Sequence, residues 1–187
     1  MLRDWLWCRQ RLRAASVAST SAWTQAGWRG WCKVVSVYDG DTATLVLAGR
    51  SGVRYKARML GIDTEELRQP RAASDREAKA DLAFRARNAL ASMASDVAVD
   101  PGDRRKGADW DALFGESRRL VWCECEGEDL YGRMLVHLRA RRGAGPTFSD
   151  ALIEQRLALP YDGQTKTPVY ETLAATDREA PVATDRV

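Results

Sequence analysis

Three short clusters in this chain combine residue types that handle charge at reacting centres. They are Asp39-Gly40-Asp41-Thr42, then Arg58 followed by Asp63-Thr64-Glu65-Glu66, then Asp129-Leu130-Tyr131-Gly132-Arg133. Carboxylates serve as hard oxygen ligands and proton acceptors, and guanidiniums clamp oxyanions through a planar fork of donors. Each cluster alone also has a structural explanation. Asp-Gly is a common tight turn, an arginine on a strand is commonly a solvated edge, and Tyr-Gly-Arg fits a hairpin turn with an aromatic cover. Only the combination separates chemistry from turn-making.

The elements that must position these clusters follow from periodicity. Residues 33–38 are valine-rich and residues 42–47 mix threonine with apolar residues, so Asp39, Gly40 and Asp41 form the turn of a hairpin. A second turn at 49–52 leads into 53–62, where Val53, Tyr55, Ala57 and Met59 share one face and Arg54, Lys56 and Arg58 the other. Ser74 to Glu77 reads as a capping box. It opens a helix of about five turns carrying Leu82, Ala86, Leu90 and Met93. Residues 96–119, with Pro101, Gly102, Gly115 and the basic run Arg104 to Lys106, read as a loop insertion with at most one turn of helix at 110–114. Strands are predicted at 120–126 and 133–139, a second helix at 149–157, and a short helix within 169–176 of a polar tail. This order predicts an α+β, mainly β fold: a small five-stranded barrel with two to three flanking helices.

Composition narrows the function classes. With 45% hydrophobic and 29% charged residues among 187, the chain is neither disordered, collagen-like nor a multi-span membrane protein. The net charge of +3 is concentrated in residues 1–31, which hold five arginines against one aspartate and five of the seven tryptophans. That extension reads as a nucleic-acid or surface arm, a packing extension, or a stretch upstream of the true start. No apolar run of signal-peptide or membrane-span length is present, so a cytoplasmic location is the default expectation. Cys8, Cys32, Cys123 and Cys125 are scattered and read as ordinary thiols, the last two on one strand face. A zinc site is disfavoured, and His137, the only histidine, reads as structural.

In combination and order, the clusters resemble the staphylococcal nuclease (thermonuclease) family, whose pattern runs Asp-Gly-Asp-Thr, Arg, Asp-Thr-x-Glu, Tyr-Gly-Arg. The stretch 150–158 followed by Leu159-Pro160-Tyr161-Asp162-Gly163 resembles that family's closing helix and loop. The resemblance covers roughly residues 33–163. It implies an extension at 1–31, an OB-fold-like domain at 32–163 carrying the insertion 96–119, and an acidic tail at 164–187. It further implies a calcium-dependent, sequence-nonspecific endonuclease hydrolysing phosphodiester bonds of DNA and RNA, monomeric, favouring single-stranded or unpaired regions and leaving 3′-phosphates. Most members of the family are exported.

The resemblance also assigns roles. Arg58 and Arg133 would clamp the phosphate, where the planar fork outperforms an ammonium. Asp41 and Asp63 with the Thr64 carbonyl would hold Ca2+, Glu66 would act as general base, and Tyr131 would contact phosphate. Two positions depart from the pattern. Glu65 replaces a proline and adds negative charge near the metal, and Leu130 replaces a lysine that helps hold a terminal phosphate. The rival expectation is a catalytically silent OB-fold module that binds single-stranded nucleic acid or protein.

Overall fold

Strict alternation of inward and outward side chains builds a closed sheet. The computed structural model describes residues 12–22, 24–50, 52–70, 75–143, 145–165 and 167–179. Its first half contains β1 (Arg29–Val37), β2 (Thr42–Leu47), β3 (Tyr55–Met59), β4 (Ile62–Thr64), α1 (Arg76–Ala94) and α2 (Ala108–Glu116). There follow β5 (Val121–Glu128), β6 (Met134–Arg139), α3 (Phe148–Glu154), β7 (Ala158–Pro160) and α4 (Val169–Glu179). The barrel closes in the order β1-β2-β3-β6-β5, every pairing antiparallel except β3 with β6. This is the mainly β, OB-fold-like barrel expected.

Period two places Ala43, Leu45 and Leu47 of β2 and Met134, Val136 and Leu138 of β6 inside, with their neighbours turned outward. β1 breaks the rule once. A register shift between Val34 and Ser36 lets Cys32, Val34 and then Val37 point inward, which leaves Ser36 and Tyr38 on the outer face. The bulge therefore changes which residues look outward just before the Asp39-Gly40-Asp41 turn.

The helices cover the barrel and its flanks. α1 buries Leu82, Ala83, Ala86, Leu90 and Ala91. The Ser74 half of the expected capping box lies outside the described residues; Asp75, in the left-handed region at φ 55°, makes no side-chain cap. α3 is capped by Thr147 and Asp150, which exchange hydrogen bonds of 3.0 and 2.7 Å between side chain and backbone. It ends at Glu154 rather than 157. The chain then forms β7, which pairs with β4 in a separate two-stranded sheet. Cys32, Cys123 and Cys125 are buried in the barrel; a hydrogen bond with Cys32 and burial both raise the Cys123 pKa. Cys8, Trp5, Trp7 and Trp23 lie outside the described residues. Among the described residues no helix is long and apolar enough to cross a membrane.

Residues 96–119 differ most from expectation. They carry a nine-residue helix, α2, which buries Trp110 and Phe114 edge to face at 5.6 Å. The Trp110 indole N–H donates to the Val37 carbonyl at 2.7 Å. Arg87 of α1, only 1% exposed, stacks 3.8 Å from the Trp110 ring centre and donates to the carbonyls of Asp103 and Arg105 at 2.7 and 2.8 Å. Two aromatic anchors among Pro101, Gly102, Gly107 and Gly115 make too short a pattern to read as helix, yet their burial makes the segment part of the core. Truncating Trp110 to alanine should cost ~3–5 kcal/mol of unfolding free energy in a urea titration. A change below ~1 kcal/mol would show that the segment is peripheral.

Candidate active site

A cleft of about 370 Å³ lies on the outer face of β1, β2, β3 and the start of β6. Strand register explains its floor. Ser36 pairs with Thr44 and Thr44 with Lys56; Thr42 pairs with Arg58; Ala57 pairs with Met134, so Arg133 falls beside Lys56. Ser36, Thr42, Thr44, Lys56, Arg58 and Arg133 face outward and line the cleft, together with Tyr38, Asp39 and Glu66, while Met134 and Ala57 point into the core. The parallel β3–β6 pairing thus brings Arg58 and Arg133 to one opening although they lie far apart in sequence.

Gly40 sets the depth of the turn above this floor. A Cβ there would sit 2.7 Å from Ala86 Cβ of α1 and 2.8 Å from Thr64 Cγ2 of β4, so only glycine lets the turn pack against both. The result is a set of buried carboxylates. Arg58 donates to Asp41 Oδ2 at 2.8 Å and to Asp63 Oδ1 at 3.0 Å, one terminal nitrogen to each, while Thr42 Oγ1 donates to Asp41 Oδ1 at 2.8 Å. The Asp41 amide donates to Asp39 Oδ1 at 3.2 Å. Tyr161 covers the clasp, its ring centre 5.9 Å from the Arg58 guanidinium carbon. The β4–β7 ladder fixes Asp63 opposite Leu159 and Thr64 opposite Ala158.

One guanidinium does not balance this charge. Burial, then the neighbouring Asp41 and Glu66 charges, push the Asp39 carboxyl up to about 7. Burial also raises Asp41, outweighing the opposing pull of Arg58. Burial works against the Arg58 charge, but Asp41 and Asp63 more than offset it and hold its pKa above the usual value.

Arg133 is held differently. Its Nε donates to Asp129 Oδ2 at 2.6 Å and its amide to Asp129 Oδ1 at 2.9 Å, and its terminal nitrogens make no hydrogen bond among the described residues. Asp129 also accepts from the Tyr131 amide at 2.9 Å, and Gly132 takes φ 74° to close the loop. These bonds to Arg133 and Tyr131 hold the Asp129 carboxyl below its ordinary value despite partial burial.

Arg58, Glu66 and Arg133 therefore line one cleft, and Arg58 clasps Asp41 and Asp63 beneath it. Thr64 is buried behind Gly40 and does not line the opening. Tyr131 is 85% exposed at the hairpin tip, outside the cleft, its ring centre 5.6 Å from the Arg133 guanidinium carbon. Glu65, expected to add charge near a metal, instead accepts from the Tyr170 amide at 3.0 Å and from Gln69 at 2.9 Å, capping α4. Its charge is used at a helix N-terminus. His137 has a buried Nδ1 without a partner and lies away from the cleft lining.

Sequence reasoning assigned Asp39, Asp129, Lys56 and Tyr161 no part in the chemistry. The alternation that put Lys56 beside Arg58 was a usable signal; the bulge that exposes Ser36 and Tyr38 left none. Compared with known proteins, the chain matches no protein-family model and no curated protein.

The donor set is compatible with a hard cation. Asp41 and Asp63 offer oxygen ligands only, and burial together with the mutual crowding of Asp39 and Asp41 disfavours their ionised forms, a cost that a bound cation would offset. Among the described residues no three carboxylate, thiol or imidazole groups form a ready-made cage, so backbone and water oxygens would complete the coordination.

A raised carboxyl pKa means that the folded chain keeps a proton the unfolded chain has lost between pH 3.8 and about 7, so stability falls as pH rises through that window. In chelator, Asp39→Asn should flatten the decline in urea unfolding free energy between pH 4 and 7.5, by a few kcal/mol at most. Identical slopes for the two proteins would contradict the burial-driven shift.

Proposed function

We propose that the chain is a calcium-dependent endonuclease, a phosphodiester hydrolase of the staphylococcal nuclease kind that cuts DNA and RNA without sequence preference. The observation that carries this reading is the common cleft of Arg58, Glu66 and Arg133 over the clasped pair Asp41 and Asp63. Hydrolysis of a phosphodiester places little covalent demand on a protein. It needs an oriented water and positive charge aimed at the non-bridging oxygens.

Arg133 supplies that charge with terminal nitrogens not committed to Asp129, which orients the side chain through Nε. Arg58 is fixed by its two carboxylates, and its guanidinium faces the same opening. Glu66, exposed on the cleft wall, takes a proton from the attacking water. The new P–O bond forms as the bond to the 5′ oxygen breaks; solvent protonates the leaving oxygen, and a 3′-phosphate remains. Asp41, Asp63 and the Thr64 carbonyl would hold Ca2+, which when bound adds positive charge at the phosphate and acidifies water. The hydroxyls and charges that line the cleft suit contacts to a phosphate backbone.

With labelled single-stranded DNA and RNA, Arg133→Ala should lower turnover by ~10³–10⁵ while leaving the far-UV circular dichroism and melting temperature close to those of the parent. Turnover equal to the parent's would remove Arg133 from the chemistry. Cleavage by the parent should vanish in chelator and return with added Ca2+. Persistence of cleavage in chelator would exclude the cation, and absence of cleavage under every condition would favour a silent binding module.

A further inference from the structure

A second cavity, of about 570 Å³, adjoins the cleft and shares Ser36 and Tyr38 with it. We propose that this groove binds the backbone of a single-stranded polynucleotide beyond the bond being cut, with Arg68, Arg76 and Lys106 as its phosphate contacts. The proposal rests on the nuclease reading for where the strand is cut, but its test reads binding alone.

Charge is distributed unevenly between the two cavities. The cleft and the carboxylates beneath it bring Asp39, Asp41, Asp63 and Glu66 against Lys56, Arg58 and Arg133. A polyanion gains little net attraction there. The groove inverts the balance, since among the described residues Arg68, Arg76, Arg87 and Lys106 line it against Asp111 alone. Asp111 itself accepts from Ser36 Oγ at 2.6 Å. Positive charge next to a nearly balanced centre draws in an extended anion and not a small one.

The groove wall is also held in place. The basic run Arg104 to Lys106 does not act as one patch. Arg104 pairs with Asp81 at 3.1 Å and Arg105 with Asp103 at 2.5 Å, both outside the groove lining, whereas Lys106 lines it. Arg87, buried against Trp110, grips the carbonyls of Asp103 and Arg105 and so fixes the backbone just before Lys106. Gly107 lines the groove and begins α2 without a side-chain cap.

An aromatic surface lies at the junction. Tyr38 is 64% exposed where the two cavities meet, a face on which an unpaired base can stack. A duplex offers no unstacked base to it, which favours the single strand.

The test is fluorescence anisotropy in chelator, which withholds the cation that the nuclease reading requires, using the full chain, labelled oligothymidylates of three and twelve nucleotides, and a twelve-base-pair duplex. Arg68→Ala/Arg76→Ala/Lys106→Ala should weaken binding of the twelve-mer at least tenfold and lower its log Kd against log salt slope by about 2, at ~0.7 per lost contact. The trimer should change less than threefold. Each single alanine variant should lower the slope by about 0.7, which keeps the test valid if the triple variant folds poorly. As a control, Arg118→Ala/Arg141→Ala/Arg142→Ala alters exposed arginines that line neither cavity. An equal loss in that control, or no loss in the groove variants, would overturn the proposal. Tighter, groove-dependent binding of the duplex would overturn its single-strand assignment.

Discussion

The clasp of Arg58 on Asp41 and Asp63 is the interaction on which the rest of the site depends. Two carboxylates almost wholly removed from water carry a desolvation cost that only a well-placed partner offsets, and one guanidinium reaches both at 2.8 and 3.0 Å. Each participant comes from a different element: the β1–β2 turn, β3, and β4. The clasp therefore requires the hairpin register, the close approach at Gly40 and the β4–β7 ladder to hold together. Asp39 forms no ion pair among the described residues, and burial, then the neighbouring Asp41 charge, shifts its carboxyl upward.

A site with surplus negative charge is a poor host for phosphate by itself. Arg133 is kept apart from the clasp by its own partner, Asp129, and so faces the cleft without being neutralised by Asp41 or Asp63. This separation gives the two arginines different duties. Arg58 binds Asp41 and Asp63 while still bordering the cleft, and Arg133 borders it with terminal donors that Asp129 does not use. Asp129 is a positioning residue in this scheme, because it touches Arg133 and not the contents of the cleft.

Much of this was legible in the sequence because it rests on local rules. The Asp-Gly turn, the alternation of Lys56 and Arg58 with Ala57 and Met59, and the helical run through Leu82 and Leu90 all carry short-range signals. What escaped depends on tertiary contact. The β1 bulge shifts the inward phase by one residue between Val34 and Val37, and no composition cue marks it. α2 is stabilised by Trp110 and Phe114 entering the core and by Arg87 tying down the preceding loop, contacts that a nine-residue segment rich in flanking glycine does not advertise. Glu65 lies next to the candidate metal residues in sequence, yet its side chain turns to α4; proximity along the chain misjudged its role.

The most direct measurement is a crystal structure of the chain with Ca2+ and a nonhydrolysable phosphorothioate dinucleotide. The account predicts one phosphate group within hydrogen-bond distance of both Arg58 and Arg133, with the cation on Asp41 and Asp63. A dinucleotide whose phosphate meets neither arginine, or a cation bound away from both aspartates, would contradict it.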